Sequence, residues 1–184
     1  MIKSRKDLKT AGIINAILIV AAFIVGVIIL FMAETILWKI NILFTLAALV
    51  FAFYYAFFGY KKDVAKGYKG FMIFYVATTL INIVGDIAGT IELGYTSYLS
   101  TILLAIVFIC VVILAFTKDL KKTISTILGV IILVVKAIIL IRSLVGPSYG
   151  VAYRLQNILD IVLAMLACFF VITKYIDKDL RGTT

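Results

Sequence analysis

Six long apolar runs divide the chain: Ala11 to Met32, Ile36 to Gly59, Gly70 to Ile91, Ser97 to Phe116, Thr123 to Leu144 and Val151 to Tyr175. Each is close to the roughly 20 residues that cross about 30 Å of hydrocarbon as a helix. The runs are continuous, whereas barrel strands would be about 10 residues of alternating polarity. The pattern therefore predicts an all-α integral membrane protein, a six-transmembrane-helix antiparallel bundle forming one transmembrane domain over residues 1–184. The links are too short for a soluble domain. Composition agrees: the chain is 65% hydrophobic with a mean hydropathy of +1.21, against roughly 45–50% apolar residues in soluble domains. The first run is read as a retained span, because it exceeds the roughly 7–15 residues of a signal peptide and Phe31-Met32-Ala33-Glu34 is a poor cleavage site.

Charge orients these elements. Fourteen of the eighteen basic residues fall in four stretches: Lys3 to Lys9, Lys61 to Lys69, Lys118 to Lys122, and Lys174 to Arg181. With five acids among them, these stretches carry the whole net charge of +9. They are the N-terminus, the second and fourth links and the C-terminus, which share one side of a six-span protein. The positive-inside bias makes that side cytoplasmic. The links at 33–35, 92–96 and 145–150 carry no Lys or Arg and face outward. A cell membrane, bacterial on composition, is the expected location, with the bilayer as the first partner. The basic rim is read as topology and attraction to anionic lipid rather than nucleic-acid binding.

Helical wheels then separate inward from lipid-facing sides. On the third run Tyr75, Thr78, Thr79, Asn82, Gly85, Asp86 and Gly89 share a stripe, with Leu80, Ile81, Val84 and Ile87 opposite. The fifth groups Ser125, Gly129, Ile132, Lys136 and Ser143; the sixth groups Tyr153, Gln156, Asn157, Asp160 and Ala164. Polar groups and glycines in a span call for protein partners, so these faces are expected to meet. The second run has a weaker face of Asn41, Thr45, Ala48 and Ala52, and the first has Asn15, Ala22 and Gly26. These small-residue seams suit close packing, within the chain or between copies. Lys39 points off its polar face and is expected to snorkel beside Trp38. The aromatic run from Phe51 to Tyr60 ends at the cytoplasmic boundary, where it reads as an anchoring belt.

Outside the basic stretches four cations, Lys39, Lys136, Arg142 and Arg154, balance four acids, Glu34, Asp86, Glu92 and Asp160. At 1.5 Å per residue from the cytoplasmic edge, Asp160, Lys136 and Asp86 all come out within roughly 17–24 Å. Lys136 thus lies at similar depth to two acids and can pair with either. A charge at such depth costs at least about 2.5–3.5 kcal/mol unless it is compensated. The pair admits two readings, a salt bridge that fixes helix packing and an outward-facing polar pocket for a small solute. The candidate binding residues are Asp86, Lys136, Asp160, Asn82, Asn157, Arg154 and Tyr153.

No catalytic residues are nominated. The chain has no His, no Gly-rich phosphate loop, and two cysteines, Cys110 and Cys168, isolated in separate spans. An enzyme, a metal site and a cofactor are therefore not expected. A membrane transport component leads. The alternatives are an oligomeric channel or membrane-permeabilising effector, and a non-transporting accessory, immunity or sensor subunit with a partner membrane protein. In size and topology the layout resembles the substrate-binding subunits of energy-coupling-factor vitamin transporters, with a shorter first outer link and no matched motif.

Overall fold

The computed structural model describes residues 5–58, 64–93, 98–117, 120–145 and 150–182. Six helices account for nearly all of them: α1 (Arg5–Met32), α2 (Ile36–Phe58), α3 (Val64–Leu93), α4 (Tyr98–Phe116), α5 (Lys122–Val145) and α6 (Val151–Gly182). Among the described residues there is no strand. Each helix contains a stretch long and apolar enough to cross a membrane. The links at 92–96 and around Pro147, and the basic residues Lys61 and Lys62, lie outside the described residues or side chains.

Local chemistry explains the one link seen in full. After α1 ends, Thr35 Oγ1 accepts a hydrogen bond of 3.2 Å from the Trp38 amide, and this cap starts α2 at the next residue, Ile36. The chain thereby turns back within Ala33, Glu34 and Thr35.

Each helix packs on its neighbours in sequence, α6 also packs on α1, and α3 meets α6 across the middle. Residue contacts give the direction. Gly12 near the start of α1 abuts the Ala56 carbonyl near the end of α2, and Gly67 at the start of α3 lies against Tyr54 and Tyr55. Tyr68 donates to the Leu114 carbonyl late in α4, and Ser125 early in α5 meets Tyr175 late in α6. These contacts draw together the helix ends next to the four basic stretches. We call this the basic end, and the opposite one the far end.

The small-residue seams are spent inside the chain. A Cβ on Gly12 would run into the Ala56 backbone, and one on Gly129 would sit 3.3 Å from the Cα of Cys168. Ala22, Gly26, Ala52 and Ala56 are all buried between helices of this one chain. The close approach that small residues permit therefore serves α1–α2 and α5–α6 packing, and these seams are not free to join copies.

Lipid-facing stripes complete the picture. On α5, Ile127, Val130, Val134, Ile138 and Ile141 are exposed at helical spacing, and the other helices show the same alternation. Such exposure fits contact with a lipid bilayer. The exception is α6, with 61% of its apolar window buried against 28–39% in the other five. This helix is the centre of the molecule.

Candidate functional site

Four helices contribute one polar chain to the interior. Lys136 of α5 donates from Nζ to Asp160 Oδ2 of α6 at 2.5 Å. The same oxygen accepts from Asn82 Nδ2 of α3 at 2.9 Å. Asn82 Oδ1 in turn accepts from Asn41 Nδ2 of α2 at 2.6 Å and from Gln156 Nε2 of α6 at 3.3 Å. The Asn82 amide is thereby fixed, with its NH2 toward the carboxylate and its oxygen toward the two other amides. The ion-paired side chains are only 1% and 5% exposed.

Sequence alone left Lys136 a choice of two acids, and the structure pairs it with Asp160. Asp86 lies one turn beyond Asn82 on α3 and accepts a hydrogen bond from Thr101 of α4. Apart from Asp86, the predicted residues divide into three groups. Lys136, Asp160 and Asn82 are joined directly. Asn157 lies one turn from Asp160 toward the far end, buried, on the same side of α6. Tyr153 is 40% exposed a further turn out. Arg154 is half-buried and lies about 120° round α6 from Asp160, so it belongs to another face. Asn41 and Gln156 complete the network although neither was among the candidates. The signal was present, since both occupy inward faces, but amides carry no charge to single them out.

Several buried atoms around the pair have no hydrogen-bond partner: Asp160 Oδ1, Asn41 Oδ1, Asn157 Nδ2, Thr78 Oγ1 and Tyr75 OH. Every one of these residues is less than a tenth exposed. Thr78 and Tyr75 lie one and two turns below Asn82 on its own stripe. Buried polar atoms are normally satisfied by protein or ordered water, and these five residues lie on the inward faces of α2, α3 and α6.

Toward the basic end the chemistry changes. Phe170, about 15 Å along α6 from Asp160, packs edge-on against Tyr55 at 4.5 Å and Phe71 at 5.3 Å between ring centroids. Phe71 also contacts Tyr75 at 5.8 Å. Phe71, Phe170 and Tyr75 are fully buried, and together they form an aromatic layer beneath the polar network. The aromatic run of α2 therefore does more than anchor. Tyr54 and Phe57 are exposed as a belt would be, but Tyr55 turns inward with 6% exposure, as a 3.6-residue period requires.

Beyond that layer Tyr68, Leu114, Thr117, Ser125, Lys174, Tyr175 and their neighbours line a narrow cleft without room for a water molecule. Tyr175 donates to the Leu120 carbonyl at 2.6 Å, which leaves Ser125 to donate to Tyr175 at 2.8 Å. The Lys174 ammonium stands 5.0 Å above the Tyr68 ring. Lys39 is exposed, in keeping with snorkelling. Cys110 and Cys168 are unbridged, and among the described residues no cluster of His, Cys, Asp or Glu is able to hold a metal ion.

Comparison of the chain with family models, curated proteins and solved structures finds no match in any of the three.

Proposed function

We propose that this chain is a small multipass transport component, an antiparallel six-helix bundle with both termini on the cytoplasmic side of a bacterial cell membrane. Its working site is the Lys136–Asp160 pair with Asn82, Asn157 and the polar faces of α3, α5 and α6. The solute is small and polar or charged, and it enters from the far end, which the positive-inside bias makes the outer one. The observation that carries this reading is the group of unpartnered buried polar atoms around an intramembrane ion pair. A pair serving packing alone gains nothing from unfilled hydrogen-bonding capacity beside it. With the side chains 1% and 5% exposed, the conformation is closed over the site, and a solute reaches it only when helices part. Binding and passage, not catalysis, is the chemistry this arrangement serves.

The test is direct. Purified protein is equilibrated with an extract of small metabolites, and retained solutes are identified by mass spectrometry for the native chain and for Lys136→Gln, Asp160→Asn and Asp86→Asn. The reading expects a solute held by the native protein and lost from the Lys136 and Asp160 variants. Identical retention in all three variants would sink it.

A second reading has its own support in the near-complete burial of the pair: a non-transporting membrane subunit in which Lys136–Asp160 latches α5 to α6. It predicts that no solute is retained and that an apolar replacement of the whole pair preserves function.

A further inference from the structure

We infer that the solute is a small zwitterion, one ammonium and one carboxylate, which parts Lys136 from Asp160 and bonds to both. This rests on the transport reading above and names the class of solute for its site. The closed pair is one positive and one negative group at 2.5 Å, shut away from water. Lys136 holds Oδ2 of Asp160 and leaves Oδ1 without a partner, so a solute that takes the place of Lys136, rather than adding at Oδ1, leaves each charge needing a new partner. A simple cation satisfies Asp160 but leaves the Lys136 ammonium in surplus, and a simple anion does the reverse. A neutral molecule compensates neither, and an uncompensated charge at this depth is heavily penalised. A zwitterion alone supplies both partners, with its ammonium on Asp160 and its carboxylate on Lys136, and keeps the buried charge at zero.

The unpartnered atoms are arranged to suit such a molecule. Asp160 Oδ1 and Asn41 Oδ1 are acceptors, and the hydroxyls of Thr78 and Tyr75 can also accept. An ammonium has three N–H donors to direct at acceptors of this kind. The unpartnered donor, Asn157 Nδ2, lies about 4.5 Å nearer the far end, one turn along α6 from Asp160. It is placed to share a carboxylate with Lys136. Asn41 lies near the far-end start of α2, so the direction, carboxylate toward the far end, rests on Asp160 Oδ1, Thr78 and Tyr75 against Asn157 Nδ2 on the far side. The spacing suits charges separated by one to a few carbon atoms.

The experiment compares matched solutes on the purified native chain. The twenty common α-amino acids and γ-aminobutyrate are assayed by thermal shift and equilibrium dialysis, beside methylamine and ethylamine as amines and acetate and propionate as acids. At least one amino acid is expected to bind, with the amines and acids silent. Its affinity should fall roughly 30-fold or more in Lys136→Gln and in Asp160→Asn. Asn157→Ala leaves the ion pair in place and should weaken the amino acid while leaving the unfolding midpoint near that of the native chain. An amine or acid binding as well as any amino acid would overturn the zwitterion and leave the transport reading standing. Silence from every amino acid also overturns it, while the metabolite-extract experiment decides the transport reading separately.

Discussion

The far half and the basic half of this molecule are built from the same six helices and differ in what fills the space between α3 and α6. In the far half the filling is Asn82, Asn157, Asp160 and Lys136, with hydrogen-bonding capacity left over. In the basic half it is Tyr55, Phe71 and Phe170, with Tyr55 and Phe71 both packed edge to face on Phe170. Rings of this kind bury large areas and hold one arrangement. A polar network is costly when half satisfied and re-pairs readily when a new partner arrives. The contrast is one of chemistry: polar groups that can exchange partners in the far half, and rings fixed by packing in the basic half.

The largest expected effect comes from halving the ion pair. Asp160→Ala leaves the Lys136 ammonium buried and alone, and should cost about 3–5 kcal/mol of stability, read as a lowered unfolding midpoint in detergent. Replacing both partners, Lys136→Met with Asp160→Leu, should recover most of that loss while solute binding stays absent. A double variant as unstable as the single one would mean that the charges matter for shape alone. Next comes the aromatic layer. Phe170→Ala should cost about 3 kcal/mol through the cavity it opens, yet leave solute binding within a few-fold of native. If binding vanished with the ring while the fold survived, the division into halves would be wrong.

A smaller effect is expected at the α5–α6 contact. Gly129→Val forces a side chain against the Cys168 backbone and should cost about 1–3 kcal/mol by overpacking, measured by the same unfolding assay. Lys39→Gln, on an exposed side chain, should change stability by less than about 0.5 kcal/mol and binding not at all.

Much of this architecture was legible because hydrocarbon is a strict solvent. Continuous apolar runs announced six helices, and Lys136 and Asp160 within such runs had to face protein. The inward stripe of α3 followed from period alone, as did the faces of α5 and α6. The partner of Lys136 was not legible. Asp86 and Asp160 differ little from it in depth, and only the lateral placement of α4, which brings Thr101 to Asp86, decides between them. Asn41 was also obscured, because an amide near the start of α2 resembles interfacial polarity until Asn82 is seen opposite it. The aromatic run of α2 misled in a different way. Its density suggested a belt, whereas the helical period sends Tyr55 inward and Tyr54 outward.

The central claim is that the far half opens to water while the aromatic layer keeps the basic half closed. Single cysteines placed at Asn157 and at Ala164, on either side of Asp160 in a chain with Cys110 and Cys168 replaced by Ser, test it most directly. Intact membranes would be treated with a membrane-impermeant maleimide from the far side. The account predicts that Asn157→Cys reacts, that Ala164→Cys reacts much more slowly, and that a bound amino acid protects the first. A bundle in which neither position ever reacts would contradict it, and would leave Lys136 and Asp160 as a permanent latch.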